Sequence, residues 1–133
     1  MSDQTASVPV KVGNVVVWAL QLALAAYFLY SGWLLFGEGF VKKFDDIGFG
    51  QWLRYVTGAL EIAGALGLLL PRLCGVAALG LFGVMVGAVS TELFILDSAR
   101  GAQLPAVLGL VALVVAVLRR DTVKALAAQV FGK

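Results

Sequence analysis

The chain has 133 residues, of which 61% are hydrophobic and 14% charged, with a formal net charge of +2 and a mean hydropathy of +0.96. Soluble domains average about 45–50% apolar and about 25% charged residues, so this is the composition of an integral membrane protein, and it carries no basic patch for nucleic acid. The absence of histidine and the presence of one cysteine, Cys74, exclude most metal sites, His-ligated haem, Cys/His dyads and intrachain disulfides, so any redox chemistry must be borrowed.

The first stretch, MSDQTASVPVK, is polar and lacks the basic start of a secretory signal, while the apolar run behind it is longer than a signal's. That run is therefore expected to stay as a membrane span. A bilayer core of about 30 Å takes about 20 apolar residues in a helix, and four runs reach that length, at about 12–36, 52–70, 73–96 and 102–118. Between the first two lies GEGFVKKFDDIGFGQ, the only connection with room for structure of its own, read as a short interfacial or re-entrant element. Cys74, at the start of the third run, reads as a small buried or interfacial residue.

After the fourth run, Val123, Leu126, Ala127 and Val130 recur at helical spacing behind Asp121 or Thr122 as N-cap. This predicts an amphipathic helix lying on the membrane. The fold class is then all-α: an integral-membrane four-helix transmembrane bundle with a short C-terminal amphipathic helix, the whole of 1–133 forming one domain. Lys11, Arg72, Arg119, Arg120, Lys124 and Lys133 fall on one side, and Lys42, Lys43, Arg54 and Arg100 on the other. The excess predicts that both termini are cytoplasmic.

Glu61, inside GALEIAGALGLLLP, is the residue most in need of a reason. A charge at mid-membrane costs ~2.5–3.5 kcal/mol on insertion scales, so such groups face the bundle interior and find partners. Thr57, Gly58, Gly64, Ala65 and Gly67 flank Glu61 on one helical face, small residues that let membrane helices approach closely. Arg54 is two turns earlier on that face. Measured from the shared ends of antiparallel spans, Gln21 and Glu61 both lie about 13.5 Å deep, which makes Gln21 the expected hydrogen-bond partner. Either Glu61 is a protonated interhelical hydrogen-bonding group worth ~0.6–2 kcal/mol to packing, or it handles a proton or a polar head group.

Glu92 closes the third span near its outer end and reads as a side chain reaching interfacial water. Gly80, Gly83 and Gly87, with the small-xxx-small match GVMVG, indicate packing within the bundle or between copies. The aromatic residues from Tyr27 to Tyr55, with Phe94, gather at one end as an interfacial belt. A sharper alternative is an apolar pocket over Lys43, Arg54 and Glu61 that admits a quinone or lipid head group. The candidate intramembrane polar cluster is thus Glu61, Gln21, Lys43, Arg54 and Glu92, with no metal.

The run VKKFDDIGFGQWLRYVTGALEIAGALGLLLP, followed by a Gly/Ala-rich third span ending AVSTELF, resembles the DoxX-like family of small four-helix membrane proteins. The most specific elements are Lys43-Phe44, Gly48 and the Gly58-x-x-Glu61 pair followed by Gly64, Leu68 and Pro71, and the match is best from Tyr27 to Leu96. The resemblance implies a four-span bundle in a prokaryotic plasma membrane, among relatives linked to sulfur and quinone metabolism such as subunits of thiosulfate:quinone oxidoreductase and of a terminal quinol oxidase. A histidine that the family pattern places near Glu92 is absent, which weakens the carry-over of a proton-handling role.

Three functions follow as expectations. The first is an accessory or organising subunit of a quinone-coupled membrane oxidoreductase or respiratory complex, holding no cofactor itself, with quinone or lipid at the bundle and other subunits or itself as partners within the bilayer. The second, an enzyme in its own right, is disfavoured by the lack of cofactor ligands. The third is a small-solute, quinone or lipid-binding membrane protein with no redox role.

Overall fold

The computed structural model describes residues 7–132, with side chains described from Val12 onward. Among the described residues there is no strand. The helices are α1 (Ser7–Leu35), α2 (Val41–Ile47), α3 (Gln51–Leu68), α4 (Cys74–Ser90), which runs directly into a π-helix at Thr91–Ile95, then α5 (Ala99–Leu118) and α6 (Arg120–Phe131). Three segments, Val12–Leu35, Cys74–Ile95 and Ala99–Leu118, are long and apolar enough to cross a membrane. The fourth expected span corresponds to α3, whose 18 residues include Arg54 and Glu61. Its hydropathy does not qualify α3 as a span among the described residues, because those charges offset its leucines.

The four long helices pack in a ring, α1 on α3, α3 on α4, α4 on α5, and α5 more loosely back on α1. Helical periodicity explains the buried faces. On α3 Arg54, Gly58, Glu61, Ala65 and Leu68, and on α4 Cys74, Ala78, Leu81 and Met85, are spaced alternately three and four residues apart, with Gly67 and Gly75 buried beside them. The α1–α3 crossing is made by two glycines: a Cβ at Gly32 would lie 2.9 Å from the Gly58 carbonyl oxygen, and one at Gly58 would lie 3.0 Å from that of Gly32. No larger residue fits without parting the helices.

The core, built around Phe28, Ala65, Leu68, Ala78, Leu81, Ala112 and Val115, fills the half of the ring towards α6. Its floor is a polar staple. Gln21 Nε2 donates to the Leu68 carbonyl at 2.7 Å, and Gln21 Oε1 accepts from Arg119 Nε at 2.7 Å. Arg119 also donates to Asn14 Oδ1 at 2.9 Å and sits over the Trp18 ring. Gln21 thus ties α1 to the C-terminus of α3 and to the α5–α6 junction. It does not meet Glu61. Aligning the two spans by their apolar ends misplaced the register by about two helical turns, because α1 starts earlier, at Ser7, and α3 stops at Leu68.

At the opposite end, the 37–51 connection contains α2, closed by Gly48 at φ 90 and followed by Gly50 at φ 96, backbone values that favour glycine. Phe44 and Ile47 of α2 are buried against Leu35 of α1. Arg54 caps the C-terminal end of α1, donating to the carbonyls of Leu35 and of Gly37 just beyond it, both at 2.5 Å, and also to Gln51 Oε1 and the Tyr55 hydroxyl, so it does not engage Glu61.

The C-terminal helix starts two or three residues earlier than the expected caps, Asp121 or Thr122, imply. Its N-cap is Arg119, without a side-chain cap, and Thr122 Oγ1 donates back to the Arg119 carbonyl at 2.6 Å. Thr122 and Val123 close over Gly75 at the start of α4, while Val130 and Phe131 are exposed. Cys74 is buried there, with Sγ on the Pro71 carbonyl. A Cβ at Gly80, Gly83 or Gly87 would meet nothing within 4 Å. No neighbouring helix packs closely on that stripe, so the within-bundle packing that was one of its two expected roles is not made.

Candidate functional site

Towards α2 the four helices separate around a cavity of about 480 Å³. Phe28 and Met85 line it where it meets the core, and Phe40, Phe44 and Ile47 line it from the α2 side. Its walls are Tyr27 and Ser31 of α1, Val56, Thr57, Leu60 and Glu61 of α3, Val84, Gly87 and Ala88 of α4, and Leu104, Pro105 and Leu108 of α5. Pro105 lies inside α5 and has no N–H for the Gly101 carbonyl four residues back. The hydroxyls of Thr57 and Thr91 are committed to their own helices, donating to the Leu53 and Gly87 carbonyls at 2.8 Å each.

Glu61 is 5% exposed. Its Oε1 is buried and has no hydrogen-bond partner among the described residues. Tyr27 and Ser31, one turn apart on α1, bring two hydroxyls to the same cavity, and the Glu61 Cβ lies against the Gly32 backbone of that helix. A buried, incompletely satisfied carboxyl group is costly unless something occupies the space beside it.

The second polar group is an ion pair between Lys43 Nζ and Glu92. It joins α2 to the π-helix. Glu92 is buried, contrary to the expectation that it reaches interfacial water. It continues the α4 stripe of Ala78, Leu81 and Met85, and Gly101 gives it room, since a Cβ there would collide with the carboxylate. π-Turns within helices recur at functional sites. Here the turn also lets the Ser98 N–H reach the Glu92 carbonyl at 2.6 Å, and the Ser98 hydroxyl then caps α5 by accepting from the Gly101 N–H at 2.9 Å.

Of the five candidate residues, Glu61, Lys43 and Glu92 line one cavity. Gln21 belongs to the staple at the far end, and Arg54 caps α1 outside the cavity. Lys43 is engaged by Glu92 rather than directed at Glu61. Sequence reasoning missed Tyr27 and Ser31, although their i, i+4 spacing beside the Phe28 and Gly32 face already puts two hydroxyls together. The arrangement offers an apolar chamber of ligand size, with the Glu61 carboxyl group in its wall leaving Oε1 without a partner and a self-neutralised pair towards α2.

No curated protein and no solved structure matches the chain. A family model does, across residues 19–131, a stretch that takes in the staple, the cavity and α6. On that match, the chain belongs to the DoxX-like family.

Proposed function

We propose that this protein holds a lipid-soluble molecule with one polar head, of the quinone or lipid class, in the cavity beside Glu61. In this reading it serves as an accessory or organising subunit of a quinone-coupled oxidoreductase in a prokaryotic plasma membrane. The observation that carries the reading is the unpartnered Glu61 carboxyl oxygen in the wall of an otherwise apolar chamber of about 480 Å³. Pockets of about 300–1,000 Å³ with few convergent polar groups are the usual form of small-molecule sites. A carboxyl group can meet either a quinone carbonyl or a quinol hydroxyl, and the apolar walls suit a ring or chain.

In this function α3 crosses the bilayer as a fourth span, its two charged side chains turned inward, as intramembrane charges generally are. Both termini lie in the cytoplasm, so reporter fusions after residues 45 and 133 should fall on opposite sides; the same side would remove the fourth span. A binder of lipid or small solute without a redox role is the second reading. It is favoured by the predominantly apolar lining of the cavity, in which Phe28, Leu60, Met85 and Leu108 would suit an acyl chain.

Purification in mild detergent with mass spectrometry of bound proteins, quinones and lipids separates the two. Oxidoreductase subunits should co-purify with wild type and with Glu61→Gln, while bound quinone falls in Glu61→Gln. Lipid alone, with no oxidoreductase subunit, would favour the second reading, and no bound amphiphile in any form of the protein would contradict both.

A further inference from the structure

The end of the molecule at α6 carries cations that make no salt bridge among the described residues. Arg72, Arg120 and Lys124 are exposed, and Arg119, with one guanidinium nitrogen buried and unpartnered, adds to the field from beneath. Asp121 is the acidic residue on α6. The salt bridges among the described residues, Lys42–Asp46 and Lys43–Glu92, both lie at the other end. Arg72 and Arg120 bond only neutral oxygens, of Gln129 and of the Val117 carbonyl.

These charges adjoin an uncovered apolar surface. No residue of α6 is buried, and Val130 and Phe131 are 60% and 84% exposed. Successive helical positions bring Arg120, Lys124, Ala127 and Phe131 to one side, with Val130 next to them. A helix with aliphatic and aromatic residues flanked by unpaired cations binds a membrane interface by apolar burial together with attraction to acidic head groups.

We propose that α6 docks on an anionic lipid surface, with Arg120 and Lys124 at the phosphates and Val130 and Phe131 in the acyl boundary. The charge complementarity selects acidic lipid over zwitterionic lipid. The inference uses none of the cavity residues and stands or falls apart from the ligand proposed above.

The test is a nitroxide label on Val130→Cys, in full-length protein carrying Cys74→Ala, reconstituted in discs of phosphatidylcholine with or without phosphatidylglycerol. The ratio of lipid-immersed to aqueous label should be higher with the acidic lipid. Arg120→Gln with Lys124→Gln should lower that ratio roughly thirty-fold, the equivalent of about 1 kcal/mol per cation near an acidic surface. Salt at about 0.5 M should act in the same direction, since it screens exposed charge. Equal immersion in both lipids, insensitive to the substitutions and to salt, would overturn the acidic-lipid selectivity. A label that stays aqueous in both would overturn membrane docking of α6 altogether.

Discussion

Around the staple, Gly64 lies so near Leu81 that an added Cβ would come within 2.6 Å of its side chain, and Gly67 is similarly closed by Ala77 at 2.8 Å. Two helical turns towards α2 the same helices part around about 480 Å³ of space, and the residues there, Val56, Leu60, Gly87 and Leu104, are both cavity wall and exposed surface. The polar groups differ in the same way. Gln21 has both ends of its amide engaged, whereas Glu61 has an idle oxygen. Small residues and the Gln21 hydrogen bonds close the α6 end, whereas at the α2 end α1 and α3 still meet at Gly32 and Gly58 while the helices part around the cavity. The contrast places the filled core at the α6 end and the open cavity, with Glu61 in its wall, at the α2 end.

Identical substitutions in the two halves test this most strongly. Leu81→Ala removes a side chain that is 1% exposed and should cost about 2–5 kcal/mol through lost contacts and an unfilled void. Leu60→Ala, in a cavity wall and 50% exposed, should cost less than about 1 kcal/mol, in the range of surface changes. Reversible unfolding in mixed micelles measures both. Equal costs would erase the distinction between a filled and an open half.

Next in size is the staple. Gln21→Leu leaves the Leu68 carbonyl and Arg119 without their partner, and should destabilise by about 1–3 kcal/mol. Amide exchange should rise at the C-terminal turn of α3 and across the α5–α6 junction before it rises at α2. An increase confined to α2 would mean that the two ends are coupled in a way the contacts do not describe.

The smallest global effect belongs to Lys43→Gln. The Lys43 side chain is 40% exposed, so losing its pair with Glu92 should change stability by no more than about 1 kcal/mol. Its local effect is larger: α2 loses a tether to the π-helix, and exchange across Val41–Ile47 should accelerate while that of α4 stays unchanged. Unaltered exchange in α2 would show that Phe44 and Ile47 alone hold it in place.

The same contrast explains what was legible in the sequence. Apolar run length located α1, α4 and α5 to within a few residues, and small-residue patterning foretold that the Glu61 face of α3 is a packing face. Two side chains, Gln21 and Glu92, were misread because depth was counted from the ends of apolar runs. Helix ends are set by caps and close packing, not by where hydropathy changes, so Gln21 slid two turns from Glu61 and met Leu68. Glu92 was assigned to water by its nearness to an end, although its spacing from Ala78, Leu81 and Met85 already placed it on the buried stripe of α4. The opening between helices that share compatible small-residue faces has no signature in periodicity at all. It arises from the register at which Gly32 meets Gly58, from Pro105 in α5, and from the π-turn that presents Glu92.

The central claim is that the α2-end cavity is a binding chamber, and photo-crosslinking with an azido-quinone in proteoliposomes tests it most directly. Adducts should map to peptides containing Tyr27, Val84–Ala88 and Leu104–Leu108, compete with unlabelled quinone, and be lost in Ala88→Trp, which fills the chamber while leaving the staple intact. Adducts spread over the lipid-facing surfaces and undiminished in Ala88→Trp would contradict the account.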